Sequence, residues 1–491
     1  MSNNDGAALF RDFLRAGTWT ACENGQSADR HDFMRAVARC AAKLGPAQSG
    51  SQARLDVFCV TTAFEALVAY FVASELNLYA NITSLNRAAQ NLKGFSPDAV
   101  GRVIVPKGHK LREPIAHGEI VSLDFGFSRD EAEPPRLAAK PAGPGARLLY
   151  CTSGSTGVPK YVVCDESRLV ANAGKVAAYL GLSRSDRTLC LFPITFMYGL
   201  STTLCTLFSG GHIEYSNWAS PSHIASLAAD KDLNILPIIG DWAIELARAW
   251  RGQARAMPKV TVINASDRLL RTQAEHLLSI SGRLWNNYGQ TESGPRLLAA
   301  EIVSARQLDA LCFGGVVAPG WPIDPGIKLE IRNRLTDDPS SPGELHYSSP
   351  FAMRGYLDAA GGLIERPEWL SSGDLFRQTE SGLCQWVGRV AHSIKYNGSY
   401  LGVHTLLNQL LASDCVSAAA FQKSDRGELV LAVSSAQNRE YVEKRVQEIA
   451  ARELAGCRFK LEIVSSLPRT DSGKIDHQAL RAYKFGELAA V

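Results

Sequence analysis

Residues 150–160 read YCTSGSTGVPK, and the apolar run that leads into them (residues 148–151, LLYC) is patterned as a short strand. A strand that ends in hydroxyl and glycine residues closed by Pro159 and Lys160 has the composition of a loop that wraps a polyphosphate. Gly154 and Gly157 let the backbone approach closely with unusual dihedrals. Thr152, Ser153, Ser155 and Thr156 offer hydroxyl and backbone N–H donors, and Lys160 adds a positive charge. The spacing is not that of a Walker loop, since no Ser or Thr follows the lysine. Taken alone, such a run suits an exposed surface loop equally well, so the segments around it decide.

Outward from this loop, short β-rich runs at residues 56–60, 102–105, 189–192 and 260–264 alternate with longer helical patterns, which predicts α/β layers. Residues 133–146 (EPPRLAAKPAGPGA) form a connector rich in Pro, Ala and Gly. Near the other end, strand-like residues 385–387 precede GRVAHSIKYNGSYLG, whose glycines and polar residues suit a joint. The expected division is therefore a large domain over residues 1–387 and a small α+β domain over residues 388–491, with a strand at 429–433 and a helix at 441–454.

The bulk properties agree with an ordinary globular protein. The 491 residues are 46% hydrophobic and 21% charged, and 52 Lys and Arg stand against 49 Asp and Glu, so no nucleic-acid footprint is expected. Eleven cysteines without a CxxC or Cys/His cluster suggest neither disulfides nor zinc and suit a reducing cytoplasm. Asp5, Arg11, Asp12 and Arg15 interrupt the first twenty residues where a secretory signal needs an apolar stretch. The most apolar long segment, 55–82, contains Glu65, Glu75 and Asn77 and is expected to be a buried strand and helix, not a membrane span.

Four further segments, in order, join the phosphate-loop candidate: NNYGQTE (286–292), SGD (372–374), GR (388–389) and LPRTDSGKIDHQAL (467–480). Together they resemble the adenylate-forming superfamily of acyl- and aryl-CoA synthetases, peptide-synthetase adenylation domains and luciferases. The resemblance spans residues 150–480. It implies a large, multi-subdomain adenylation domain followed by a small mobile domain, and activation of a carboxylic acid by ATP and Mg²⁺ to an acyl-AMP.

The resemblance also implies roles. Glu292 is similar to a magnesium ligand, a hard oxygen donor, and Thr291 to the residue that holds the α-phosphate. Tyr288 would lie along the adenine, with Asn287, Gly289, Ser266, Asp267 and Arg268 on the nucleotide side of the cleft. Asp374 would accept hydrogen bonds from the ribose hydroxyls, and Arg389 would reach the same sugar or the phosphates. Lys474 would bridge the attacking carboxylate and phosphate, stabilising charge that develops in the transition state. After pyrophosphate leaves, the small domain is expected to turn and offer the loop near Lys395 and Gly398 to a thiol. Two departures bear on that turn: Ala391 replaces a hinge acid, and the run 403–407 replaces an acidic residue.

The acid itself is read from three places. LFPITFMYG (191–199) has Phe196 or Met197 where acyl-CoA synthetases often carry a gating histidine and amino-acid-activating domains an aspartate. An α-ammonium would there lack its charge partner, which disfavours amino acids. NASDRL (264–269) places Ala265 and Ser266 where the family's pocket wall is glycine-rich, which narrows the cavity and suits a small aromatic or short acyl acid. Asp241 suits either an N-cap of the following helix or a partner for a substrate hydroxyl. No fused carrier domain is expected, so the acceptor would be CoA or a freestanding carrier protein, both ending in a pantetheine thiol. Transfer to an amine, oxidation of the adenylate, activation of amino acids and a non-catalytic nucleotide sensor are the competing readings.

Overall fold

The computed structural model describes residues 18–45, 54–115, 117–127, 146–152, 160–216, 220–253, 257, 259–396, 399–413, 415–423, 428–454, 457–468, 475 and 479–480. Its framework is two large, mostly parallel sheets. The first runs, by strand, Trp321–Pro322, Gly294–Ile302, Ser281–Gln290, Val260–Asn264, Ile235–Ile238, Arg187–Cys190, His212–Tyr215, Thr20–Glu23 and Gln26–Asp29. The second runs Leu363–Glu365, Gly355–Leu357, Lys160–Asp165, Arg147–Thr152, Tyr79–Ser84, Leu55–Val60, Val100–Pro106 and Glu119–Leu123. The expected α/β layers are present, although the strand predicted at 189–192 ends at Cys190.

One core fills the space between the sheets. Helices Arg30–Leu44, Ala63–Glu75, Glu166–Leu180 and Met197–Phe208 supply it with residues such as Phe33, Leu67, Val170 and Leu204. Helix Ala63–Glu75 buries ten of its residues, from Phe64 and Ala66 through Ser74, because it has a layer on either side. That explains the long apolar stretch that begins at residue 55. No helix among the described residues is long and apolar enough to cross a membrane. The start of this helix is tied across the layers: the buried Glu23 carboxylate, on a strand of the first sheet, accepts from the backbone N–H groups of Ala63 and Phe64 at 2.8 and 2.9 Å.

A four-stranded antiparallel sheet follows, ordered Lys328–Arg332, Gly343–Ser348, Leu370–Gln378 and Cys384–Arg389. Its last strand carries the chain through residues 387 and 388 into a 3₁₀ turn, Val390–His392. Beyond it, helices Val403–Ala412 and Arg439–Glu453 pack with strands Ala418–Lys423, Leu429–Ser434 and Lys460–Val464 around a separate core of Leu406, Leu431 and Val446.

The first helix of this smaller unit docks on the edge strand of the four-stranded sheet. Asn408 donates to the Val387 carbonyl at 3.1 Å, and His404 lies so close over Gly388 that a Cβ there would stand 2.1 Å from its Nδ1. Only glycine allows that approach. Burial, and then the nearby Arg268 charge, lower the His404 pKa to about 4. The unfolded chain therefore takes up this proton near pH 6.5 while the fold refuses it until about 4. Stability contributed here is complete above pH ~6.5 and declines as the pH falls, by up to ~3 kcal/mol. The melting temperature of the wild type is expected to fall more steeply between pH 6.5 and 4.5 than that of His404→Gln, measured by thermal denaturation across that range.

Candidate active site

Parts of the sequence motifs gather where the two large sheets meet the four-stranded one: the turn at Glu292, the rims Thr152 and Lys160, and Asp374 with Arg389. Strand Ser281–Gln290 and strand Gly294–Ile302 form a hairpin whose turn, residues 291–293, contains Thr291 and Glu292. The hairpin closes tightly: a Cβ on Gly289 would stand 2.3 Å from the Pro295 carbonyl, so this position must be glycine. The backbone on either side of the turn is held to the second sheet. Met353 N–H donates to the Glu292 carbonyl at 2.9 Å, Arg354 N–H to the Val163 carbonyl at 2.7 Å, and the Cys164 thiol lies 3.8 Å from the Thr291 carbonyl.

The same arrangement brings the rims of the phosphate-loop candidate beside Glu292. Thr152 ends one strand and Lys160 opens the next, paired directly with it, and the Thr152 hydroxyl donates to the Lys160 carbonyl at 3.4 Å. Lys160 Nζ lies 5.6 Å from the centre of the Tyr356 ring, and the Tyr356 hydroxyl donates to Glu292 Oε1 at 3.3 Å. Ser153, Gly154, Ser155, Thr156 and Gly157 lie outside the described residues, as do Lys474 and Gly398.

Asp374 is the centre of the polar cluster. It is buried in strand Leu370–Gln378, opposite Arg389 in the register. Its Oδ2 accepts from the Tyr288 hydroxyl at 2.7 Å and from Gln290 Nε2 at 3.1 Å, and Gln290 also donates to the Ser372 carbonyl at 2.7 Å. Arg389 Nε stands 2.8 Å from Oδ1 as an ion pair without hydrogen-bond alignment. That oxygen keeps its capacity to accept a hydroxyl. Burial raises the Asp374 pKa, opposed by the Arg389 charge and by hydrogen bonds from Tyr288, Trp386 and Gln290. The Tyr288 ring makes an edge-on contact with Phe376 at 5.0 Å. A tyrosine, a glutamine and an arginine thus hold one buried carboxylate and leave one of its oxygens without a hydrogen-bond partner.

The remaining nucleotide-side residues lie at the end of strand Val260–Asn264. Asn287 is buried, donating to the Asn264 carbonyl at 3.3 Å and accepting from the Tyr179 hydroxyl. Ser266 is exposed with a left-handed backbone (φ +75°), a strained state for serine that functional sites often hold. Asp267 is exposed and accepts from Arg268 N–H at 2.7 Å, and the Arg268 guanidinium lies 5.8 Å from the Trp386 ring centre.

The substrate-side residues separate. Ala265 is buried, whereas Ser266, expected to share its role, is exposed. Phe196 is 45% exposed, with the Arg87 guanidinium 5.4 Å from its ring centre, and Met197 packs against the core. Asp241 does not cap the following helix. That helix, Ala243–Arg251, has Trp242 at its N-cap with no side-chain cap, and Asp241 stands one residue earlier in a 3₁₀ turn, accepting from Gln273 at 3.3 Å. The extra turn, invisible in the pattern, shifts the helix start past it.

The geometry adds residues that sequence reasoning missed. Gln290 fills the variable position of its motif, and Tyr356 has no sequence signal at all. Phe192 stacks on Tyr198 (centroids 4.4 Å apart) and lies nearly parallel to Trp242 at 6.0 Å, giving a half-buried aromatic group beside Met197.

Among the described residues no group of three or more His, Cys, Asp or Glu could hold a metal alone. Glu292, one carboxylate with a single long hydrogen bond, fits a magnesium ion that keeps waters and takes its other ligands from phosphate. Asp374→Asn tests the nucleotide side. ATP affinity is expected to fall about 10- to 100-fold, the worth of hydrogen bonds to a charged acceptor. The ligand-free melting temperature is expected to hold or rise, since the buried charge is gone. Titration calorimetry and thermal melts check both, and a drop in the ligand-free melting temperature would mark Asp374 as a structural residue.

The family model described as "AMP-binding enzyme" matches residues 53–357. Nonribosomal peptide synthetase GRA1 of Gibberella zeae is 23% identical over 423 residues, 77% of this chain but 5% of that protein. 4-Coumarate–CoA ligase 3 of Arabidopsis thaliana is 24% identical over 372 residues, 72% of this chain and 66% of that enzyme. The match thus spans less than two thirds of either curated relative. The structure of Klebsiella oxytoca NpsA in complex with 3-hydroxyanthranilyl-AMSN superposes with a TM-score of 0.78 at 15% identity, covering 97% of this chain and 98% of that one. With the matched stretch taking in the Thr152–Lys160 rims, the Glu292 turn and Tyr356, this chain belongs to the AMP-binding enzyme family.

Proposed function

We propose that this chain uses ATP to convert a small carboxylic acid into an acyl-AMP and then passes the acyl group to the pantetheine thiol of CoA or of a freestanding carrier protein. The observation that carries the reading is the buried Asp374, held by Tyr288, Gln290 and Arg389 and joined through the strand Ser281–Gln290 to the Glu292 turn, which Tyr356 links to Lys160. Asp374 Oδ1, which has no hydrogen-bond partner, would accept ribose hydroxyls. Arg389, half exposed, can turn between that carboxylate and a phosphate. Magnesium held through Glu292 would neutralise the phosphate oxygens. Thr152, Lys160 and the hydroxyls between them would receive the polyphosphate, and Lys474 would meet the charge that grows as the carboxylate attacks. The units at residues 1–387 and 388–491 would move about the end of strand Cys384–Arg389, which connects them.

Two features support a small aromatic acid. Phe192, Tyr198 and Trp242 offer flat, half-buried faces, and the aryl group named in the NpsA complex is of this class. The Arg87 guanidinium over Phe196 would repel a substrate α-ammonium at the place where amino-acid activation needs an anion.

ATP–pyrophosphate exchange across benzoates, short fatty acids and amino acids tests the reading. Exchange is expected with benzoates, and Lys474→Ala is expected to lower it by about 100-fold or more, the scale of one lost transition-state contact. A preference for amino acids would overturn the pocket assignment, and absence of exchange with every acid would overturn adenylation itself.

A further inference from the structure

Arg296 has no role in the chemistry described so far, yet it is one of the most enclosed cations of the molecule. It lies on strand Gly294–Ile302, four residues beyond Glu292, and is 4% exposed. Its guanidinium carbon stands 4.6 Å from the centre of the Tyr198 ring. Among the described residues no carboxylate lies within ion-pair distance of it, and its Nε, shut off from solvent, has no hydrogen-bond partner. The other ionisable groups around it do not supply the missing charge. Burial raises the pKa values of Tyr179, Tyr198 and Cys205, which keeps all three neutral at physiological pH.

The Tyr198 side chain hydrogen-bonds the guanidinium, but no anion among the described residues faces it, and a buried guanidinium without an anion is costly. Its setting says what it awaits. Tyr198 follows Met197 on the same helix and stacks against Phe192, and its hydroxyl lies 3.1 and 2.9 Å from the carbonyls of Ile238 and Ile263. Ile263 is two residues before Ala265, the expected pocket-wall residue. Arg296 is therefore built into the aromatic group that would receive the acid, one short strand segment away from Glu292.

We propose that the acid activated here is an aromatic dicarboxylate, one carboxylate going to the adenylation chemistry and the second to Arg296. The assignment rests on the adenylation reading for the first carboxylate, whereas the second is set by the arginine alone. Guanidinium and carboxylate match in charge and planar geometry. Arg296 is then a specificity-determining residue.

The test compares benzoate with phthalate, isophthalate and terephthalate, by titration calorimetry on the whole chain and by ATP–pyrophosphate exchange, in the wild type and in Arg296→Gln and Arg296→Lys. At least one dicarboxylate is expected to bind about tenfold or more tighter than benzoate to the wild type, the scale of a hydrogen bond to a charged group. That ratio is expected to collapse to about one in Arg296→Gln and to be partly kept in Arg296→Lys. The proposal is overturned if the wild type binds benzoate as well as every dicarboxylate. It is equally overturned if Arg296→Gln weakens both kinds of acid by the same factor, which would assign the arginine to the reacting carboxylate or to packing. The wild-type comparison decides even where a variant does not fold. Dicarboxylate-selective binding without exchange would uphold Arg296 and remove adenylation, and exchange that ignores the second carboxylate would do the reverse.

Discussion

The site depends on a carboxylate kept where water would not choose to leave it. Asp374 is almost wholly buried, and its charged form is tolerated because Tyr288, Gln290 and Arg389 surround it. Each partner comes from a different constraint. Tyr288 and Gln290 are set by the hairpin that Gly289 allows to close, Arg389 by its register opposite Asp374, and the strand itself by the four-stranded sheet. The network costs the fold a buried charge and leaves one carboxylate oxygen able to accept, a trade that makes sense for a ligand and not for stability alone.

The same strand that carries Arg389 also seats the smaller unit. His404 rests on Gly388, one residue before Arg389, and receives additional positive potential from Arg268. Packing of helix Val403–Ala412 and orientation of the arginine that pairs with Asp374 therefore share a few ångströms of backbone. A change in how the smaller unit sits would be felt at Arg389 and at Arg268. Were the smaller unit to alternate as proposed, this strand end would be its lever, with Ala391 in place of the family's usual hinge acid.

Much of this was legible in the sequence because local rules and tertiary demands agree. The run beginning at residue 55 reads as a buried strand and helix because charges interrupt it, and it is buried between layers. YGQTE and SGD place two halves of one cluster because glycine at 289 and a buried acid at 374 are each needed for backbone or charge reasons. The N-cap alternative for Asp241 fails because a 3₁₀ turn precedes its helix, and nothing in residue spacing distinguishes such a turn from the first turn of an α-helix. Tyr356 and Arg296 were silent for another reason: their roles come from contacts across strands far apart in the chain, and their own neighbours carry no periodic or motif signal.

The two ends of the cleft are therefore organised by opposite electrostatic logic. At the proposed nucleotide end a buried anion has one oxygen short of a donor, which hydroxyls would supply. At the proposed acid end two cations, Arg87 over Phe196 and Arg296 over Tyr198, meet aromatic faces, which soften a guanidinium without neutralising it. Aromatic faces cost little when a cation later pairs with an anion, because the pairing adds to the ring contact and does not replace a salt bridge. An acid pocket built this way favours anionic, flat molecules and rejects ammonium groups by charge before shape is tested.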